Sequence, residues 1–172
     1  ADSQVPHARP DIPLPAPVRQ DARIGAFRAG DLMASDGSAV DRRIFVDEGL
    51  YLLEQERIFA KCWLYLGHES QLPNKGSFFT TTMGEDPVIV ARDKSGRLRV
   101  YLNSCTHRGA KVCRVDAGVT DSFRCPYHSW TFNTEGQLMS VPRAASVYGD
   151  ALDRSKHGLR EAPHVDTFGG MI

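Results

Sequence analysis

The chain has 172 residues, of which 41% are hydrophobic and 24% are charged. This composition is typical of a globular domain with a core of its own and excludes an intrinsically disordered chain. Lysine plus arginine and aspartate plus glutamate both number 21, so the zero net charge gives no sign of a nucleic-acid or membrane partner. The sequence has no apolar run of membrane-spanning length, no signal-peptide pattern and no disulfide framework, so we expect a cytoplasmic protein.

Residues 1–40 differ in composition from the rest of the chain. Five of the ten prolines lie within the first seventeen residues, at Pro6, Pro10, Pro13, Pro15 and Pro17. Proline disfavours helices and central strands, and the stretch has little apolar periodicity. The sequence therefore predicts an extended, proline-rich arm over residues 1–40.

A short helix is predicted next, over about residues 48–60. Asp47 can cap its first turn, and Leu50, Leu53 and Ile58 fall on one face at helical spacing. Strands predominate after it, because apolar or alternating runs follow one another between turn sequences. The predicted strands are 63–67, 77–82, 87–92, 97–102, 130–132, 137–140 and 165–172.

Turn sequences join two pairs of these strands into hairpins. Asp93-Lys94-Ser95-Gly96 separates strands 87–92 and 97–102, and Asn133-Thr134-Glu135-Gly136 separates 130–132 and 137–140. The predicted fold is therefore mainly β, with antiparallel sheets, two hairpin-tied loops, one short N-terminal helix and an extended arm. Its main domain covers residues 41–160.

The most informative motif is a pair of cysteine–histidine loops. Cys105-Thr106-His107 is followed after seventeen residues by Cys125-Pro126-Tyr127-His128. Two thiolates and two imidazoles at this spacing suit a [2Fe-2S] cluster of the Rieske type, in which one iron takes both cysteines and the other takes both histidines. The predicted metal and cofactor ligands are Cys105, His107, Cys125 and His128. A Rieske cluster moves one electron at a time, so the motif indicates redox chemistry.

A structural zinc site is the alternative interpretation of these four residues. Zinc sites usually pair Cys-x2–4-Cys with His-x3–5-His, and a Cys-x-His pair is unusual among them. The two other cysteines, Cys62 and Cys113, are expected to be small buried apolar residues.

The loop sequences also predict a low reduction potential. Respiratory Rieske proteins brace their loops with a disulfide, but the matching positions here are Ala110 and Tyr127. Trp130 occupies the place of a serine that donates a hydrogen bond to a cluster sulfide in those proteins. With fewer donors to the sulfides, we expect a potential toward the roughly −150 mV end of the Rieske range.

Five stretches of the sequence indicate a family. They are 51–59 (YLLEQERIF), 63–69 (WLYLGHE), 102–110 (LNSCTHRGA), 125–130 (CPYHSW) and 168–172 (FGGMI). From about Arg43 to its end, the chain resembles the N-terminal Rieske portion of the α subunit of Rieske non-haem iron aromatic-ring-hydroxylating dioxygenases. Residues 161–172 then resemble the start of the strand that enters the catalytic domain of that family.

The resemblance implies an NADH-dependent system of several components. A ferredoxin or reductase passes electrons to the Rieske cluster, and a mononuclear Fe(II) then activates O2 for hydroxylation or dihydroxylation of an aromatic ring. The oxygenase would be an α3 or α3β3 oligomer with a small β subunit. His128 would be the electron exit, facing an aspartate of the neighbouring subunit.

The resemblance also implies that this chain contains no catalytic residues. The mononuclear iron, the aromatic substrate and O2 would be bound in a catalytic domain missing from this chain, which we therefore expect to be a fragment. Glu161 and His164 do not supply that iron site, because Pro163 would break a ligand helix and no second histidine follows. The alternative function is a free-standing Rieske-type ferredoxin that only carries electrons.

Overall fold

The computed structural model describes residues 28–172. The chain divides into two compact units, of which the first ends at Ile58 and the second is Phe59–Ile172. Most of the predicted arm, residues 1–27, lies outside the described residues. Its remainder contains a 3-10 turn at Ala29–Asp31 and an antiparallel bridge between Met33 and Val40. This part of the arm folds back on itself instead of running extended, and the domain limits at 40 and 160 stay predictions.

The predicted helix is present in the first unit. Helix α1 is Glu48–Glu54, and its N-cap Asp47 accepts a 3.0 Å hydrogen bond from the backbone N–H of Leu50. A π-helical turn, Gln55–Phe59, continues it almost to the predicted end. The described residues include no helix that is long and apolar enough to cross a membrane.

A four-stranded antiparallel sheet forms the centre of the second unit. Its strands are β1 (Ser77–Met83), β2 (Asp86–Arg92), β3 (Leu98–Leu102) and β4 (Ala117–Val119), in the order β3-β2-β1-β4. The predicted hairpin around Asp93–Gly96 is confirmed, with Val90 opposite Val100 in the register. The exposed three-residue strand β4 was not predicted.

A second antiparallel sheet has three short strands. They are β5 (Ser122–Arg124), β6 (Thr131–Asn133) and β7 (Leu138–Ser140), in the order β5-β6-β7. Helix α2 (Ala144–Tyr148) follows, and 3-10 turns occupy Arg42–Phe45, Glu69–Gln71 and Arg154–Lys156. The second predicted hairpin is confirmed as β6 and β7, and the mainly β fold class is confirmed with it.

The two faces of the larger sheet are both buried, and alternate residues of each strand face opposite ways. One face, including Ile89 and Tyr101, packs in the same cluster as Phe123 and Phe132 of the smaller sheet. The other face packs with Leu72 and the C-terminal Ile172, through the residues Phe79, Val88, Val90 and Val100. The Tyr101 hydroxyl also donates a 3.0 Å hydrogen bond to the Thr134 carbonyl, which links the two sheets.

Two predicted strands are wrong. Residues 63–67 are not in a sheet, and Trp63 and Tyr65 are 73% and 66% exposed. Residues 165–172 turn tightly, because Gly169 and Gly170 both adopt positive φ and let Phe168 and Met171 exchange two backbone hydrogen bonds. The two segments contact each other through 2.9 Å and 2.8 Å backbone hydrogen bonds that join Ile172 to Leu66 and Gly67.

Candidate metal centre

Two loops of the second unit have the same backbone form. The first loop is Cys105–Ala110, which follows β3, and the second loop is Cys125–Trp130, which connects β5 to β6. In each loop the cysteine N–H donates to the carbonyl five residues later, at 2.8 Å in both. The cysteine carbonyl accepts from the N–H four residues later, at 2.7 Å in the first loop and 2.9 Å in the second.

The residue that donates this second hydrogen bond has a left-handed backbone in both loops. It is Gly109 in the first loop, at φ 72°, and Ser129 in the second, at φ 59°. Glycine adopts this conformation at little cost, whereas a serine in it is strained by about 1 kcal/mol. The first loop therefore bends at Gly109, two residues after His107, and the second loop has the same bend without a glycine.

The loops bring the two predicted cysteine ligands together in the core. Cys105 and Cys125 are 3% and 1% exposed. Burial raises the pKa of the Cys105 thiol, and a hydrogen bond with the Cys125 thiol raises it further, although the backbone N–H groups of His107 and Arg108 oppose both effects. Two adjacent buried thiols lose their protons together only when a metal compensates the charge, which suits thiolate ligation.

The two predicted histidine ligands also meet. The ring centroids of His107 and His128 lie 4.6 Å apart, with 69° between the ring planes. Nδ1 of His107 is buried and has no hydrogen-bond partner. Among the described residues, Oγ1 of Thr134 is the one other buried side-chain nitrogen or oxygen without a partner. A buried nitrogen without a partner costs about 1–3 kcal/mol, and a bond to a metal would satisfy it.

The protonation of His107 suits metal binding as well. Burial lowers the pKa of His107, and repulsion by His128 and Arg108 lowers it further. The ring is therefore neutral near pH 7, which is the form that ligates a metal.

The four side chains thus form a thiol pair and an imidazole pair. This division matches a two-iron cluster in which each iron takes one pair of ligands. The geometry therefore favours the cluster over the zinc alternative.

Asn103 supports the first loop and was not singled out in the sequence. Its buried amide oxygen accepts from the N–H groups of Val112 and Cys113 at 3.0 and 2.8 Å, and its amide nitrogen donates to the Cys113 carbonyl at 2.8 Å. An asparagine at the end of an apolar strand, just before a ligand loop, is the signal that indicates such a role.

Several aromatic side chains pack around His107. Trp130 is 3% exposed, and its ring lies parallel to the His107 ring, with centroids 4.7 Å apart and 7° between the planes. Tyr148 and His157 meet Trp130 edge-on at 6.4 and 5.7 Å. The hydroxyl of Tyr148 lies 3.4 Å from Nε2 of His107. The sequence indicated neither Tyr148 nor His157, because both are distant from the motif along the chain.

The remaining candidate residues lie outside this site. Cys113 is buried as expected, but the expectation for Cys62 is wrong, because its side chain is exposed. The Glu161 carboxylate binds Arg99 at 2.9 Å, and His164 is exposed. That Glu161 and His164 form no metal site stays a prediction from the sequence.

Comparison with known proteins gives a consistent result. Residues 62–160, more than half of the chain, match the Rieske [2Fe-2S] domain family. The chain is 45% identical over 141 residues to the benzene 1,2-dioxygenase α subunit of Pseudomonas putida, covering 82% of this chain and 31% of that protein. It is 47% identical over 133 residues to the biphenyl 2,3-dioxygenase α subunit of Rhodococcus jostii RHA1, covering 77% and 28%.

Solved structures agree. The structure of naphthalene 1,2-dioxygenase from Rhodococcus sp. bound to indole matches with a TM-score of 0.73 and 41% identity, covering 77% of this chain and 30% of that chain. The chain therefore spans about a third of the length of the relatives that it matches. The expected [2Fe-2S] cofactor is confirmed by the family match, and the chain belongs to the Rieske [2Fe-2S] domain family.

Proposed function

We propose that this chain is the electron-transfer portion of the α subunit of an aromatic-ring-hydroxylating dioxygenase. Cys105 and Cys125 ligate one iron of its [2Fe-2S] cluster, and His107 and His128 ligate the other. The observation that carries the assignment is the buried, unpartnered Nδ1 of His107 beside the second imidazole and the thiol pair. When bound, the cluster accepts and releases one electron at a time.

The two loops suit this role because their backbone is fixed before any electron arrives. Each loop is closed by two backbone hydrogen bonds, and the N–H groups of His107 and Arg108 also lower the pKa of the Cys105 thiol. The oxidised cluster with two thiolates and two neutral imidazoles has no net charge, and one electron makes it −1. Donors that already point at a ligand sulfur stabilise this added charge without rearrangement.

We assign the electron exit to His128. Its ring is half-buried and receives no hydrogen bond from any residue that the structure describes. When His128 binds iron through one ring nitrogen, the other N–H is available to a carboxylate of a neighbouring subunit. In this proposal that subunit supplies the aspartate that leads to the mononuclear iron.

The donor in this proposal is an acidic ferredoxin or reductase component. Five exposed cationic residues, here called the cationic collar, lie in or close to the two loops and at the N-cap of α2: Arg108, Lys111, Arg114, Arg124 and Arg143. None of them forms an ion pair within residues 28–172. Residues 103–115, 124–130 and 141–149 contain no aspartate or glutamate. The zero net charge of the chain therefore conceals a basic surface beside the site, which attracts an acidic protein.

In such a protein, the oxygenation step takes place in the part that this chain does not include. In this proposal a mononuclear Fe(II) in that part binds O2 and the aromatic substrate, and α3 or α3β3 assembly with a small β subunit brings two α subunits together. The names of the matched relatives support aromatic substrates. None of the four cysteines forms a disulfide, which supports the reducing cytoplasm as its location. A free-standing ferredoxin is not favoured, because the matched relatives are α subunits.

The ligand assignment is tested with purified protein. We expect two iron atoms and two acid-labile sulfides per chain. His128→Cys should keep both and lower the reduction potential toward the roughly −400 mV of all-cysteine plant-type ferredoxins, because a thiolate adds negative charge. His164→Cys is the control, since His164 is exposed and outside the site. An unchanged potential in His128→Cys would remove His128 from the ligand set.

The donor surface is tested by the rate of reduction. Arg108→Glu combined with Lys111→Glu should slow reduction by an acidic ferredoxin about tenfold at low ionic strength, and added salt should diminish the difference. Arg97→Glu is the control, because Arg97 is also exposed but lies at the β2–β3 turn, at the other end of β3 from the first loop. Equal slowing by both variants would contradict a specific docking surface.

A further inference from the structure

We propose that Tyr148 is a positioning residue for His107, whose phenol oxygen accepts a hydrogen bond from the outer ring nitrogen of that ligand. The inference rests on the proposed role of His107 as an iron ligand. It makes the two histidines of the cluster inequivalent within this chain.

The two nitrogens of the His107 ring have different surroundings. Nδ1 is buried and has no partner, whereas Nε2 lies 3.4 Å from the Tyr148 hydroxyl. An imidazole that gives the lone pair of Nδ1 to iron keeps its proton on Nε2. Nε2 is then the donor and the phenol oxygen is the acceptor, so both ring nitrogens have a partner once the cluster is bound.

Tyr148 is held in place by its own packing. It is the last residue of α2, and Gly149 closes that helix by donating to the Ala145 carbonyl at 3.2 Å. Its ring packs against the buried core cluster and meets Trp130 edge-on, with centroids 6.4 Å apart and 75° between the planes. Trp130 in turn covers one face of His107. One aromatic ring thus fixes the plane of His107, and the phenol fixes its rotation within that plane.

His128 has no equivalent support. Its ring contacts the Tyr127 ring at a centroid distance of 3.9 Å, but the Tyr127 side chain is 61% exposed and its hydroxyl makes no hydrogen bond to residues that the structure describes. The outer nitrogen of His107 is therefore satisfied inside the chain, while that of His128 stays available to another subunit.

The hydrogen bond has a measurable electronic consequence. A ligating imidazole whose outer N–H donates to an acceptor is a more basic ligand. A more basic ligand stabilises the ferric iron relative to the ferrous iron. Tyr148 should therefore hold the reduction potential of the cluster below the value that it would have without the phenol oxygen.

The test is Tyr148→Phe in the cluster-loaded chain, which removes the hydroxyl and keeps the ring. We expect the potential to rise, and pulsed EPR of the reduced protein should show a changed quadrupole coupling for the outer nitrogen of one histidine. Iron and sulfide contents should equal those of the unsubstituted protein. Tyr127→Phe is the matched control, since it removes a hydroxyl beside the other histidine, and both readouts should stay unchanged.

The unsubstituted protein provides a second measurement that does not depend on the folding of a variant. Its pulsed EPR spectrum should contain two distinct couplings for the outer histidine nitrogens. Identical couplings, or a Tyr148→Phe variant with an unchanged potential, would overturn the role of Tyr148. A spectrum without any histidine nitrogen coupling would instead overturn the ligand assignment on which the inference rests.

Discussion

The two ligand loops hold their cysteines in the same way and their histidines in different ways. Both cysteines sit at the start of a loop closed by the same two backbone hydrogen bonds. The histidines follow at different spacings, and His107 lies against buried Trp130 while His128 lies against exposed Tyr127. Backbone geometry thus positions the thiols, whereas neighbouring side chains determine what each imidazole can contact.

This difference suits a centre through which electrons pass in one direction. The outer nitrogen of His107 has a partner within this chain, and the His128 ring has no hydrogen-bond partner among the described residues. In the proposed function the His107 side stabilises the cluster and the His128 side delivers the electron.

The first prediction, with the greatest effect, concerns the two cysteines that both loops hold in the same way. Cys105→Ser and Cys125→Ser should each abolish the cluster, with loss of visible colour and of bound iron, because each removes a buried thiolate ligand from an equivalent position. Cys62→Ser should keep its iron, since Cys62 is exposed and outside the site. Retention of the full iron content in either loop variant would break the equivalence of the two cysteines.

The second prediction concerns Asn103, whose side chain supports the first loop through hydrogen bonds. Asn103→Ala removes three hydrogen bonds and leaves buried N–H groups of Val112 and Cys113 unpaired, so it should lower the free energy of unfolding by about 3 kcal/mol. Asn133→Ala serves as the control, because Asn133 bonds Gln137 within a more exposed hairpin and should cost about 1 kcal/mol or less. Equal losses in chemical denaturation would show that Asn103 has no special role.

At the other end of β3 from the first loop, Asp93 should make the free energy of unfolding depend on pH. Burial alone would raise the pKa of Asp93, but hydrogen bonds from Ser95, Arg99 and Arg97 lower it from its ordinary 3.8 to about 2. The stabilisation is thus fully present above about pH 4 and is lost as the pH falls through about 2. Asp93→Asn should cost about 2 kcal/mol at pH 7, and the difference from the unsubstituted protein should disappear toward pH 2.

Asp121→Asn is the control for this pH dependence. The Asp121 side chain is 90% exposed and lies 3.8 Å from Lys94, so its removal should change stability by less than about 0.5 kcal/mol at any pH. A pH-independent loss in Asp93→Asn would indicate that the carboxylate charge contributes nothing.

The last prediction concerns the position with a left-handed backbone in each loop, which is Gly109 in the first and Ser129 in the second. Gly109→Ala should cost about 1 kcal/mol from its positive φ alone, because the nearest atom to the new Cβ, Oγ of Ser104, is 3.8 Å away. Ser129→Gly should change stability by less than about 0.5 kcal/mol, since relief of strain offsets the entropy that glycine loses on folding. A large loss in Ser129→Gly would show that the serine side chain itself supports the second loop.

The sequence predicts those parts of the molecule whose signals are local. Alternating apolar residues and the Asp93–Gly96 turn predict the β2–β3 hairpin, and Asp47 predicts the start of α1. The four proposed ligands are indicated by their spacing within two short loops. The three-residue strands β4 and β5 were not predicted, because three residues are too few for a periodic pattern and no turn sequence like Asn133–Gly136 marks them.

Other features depend on contacts between distant residues. Trp63 and Tyr65 look like strand residues, but they are exposed, and their segment is joined to Ile172 by backbone hydrogen bonds of Leu66 and Gly67 and by packing of Leu66. Tyr148 follows His107 by 41 positions along the chain, and its contact with that ring exists only once α2 packs beside Trp130. Pattern alone does not reveal such a partner, because the pairing is determined by tertiary packing.

The most direct test of the proposed site is Mössbauer spectroscopy of the oxidised protein loaded with isotopically enriched iron. If one iron binds Cys105 and Cys125 and the other binds His107 and His128, the spectrum contains two quadrupole doublets of equal area, one for a sulfur-only iron and one for an iron with nitrogen ligands. A single doublet from two identical iron sites, or an absence of bound iron, would contradict the assignment.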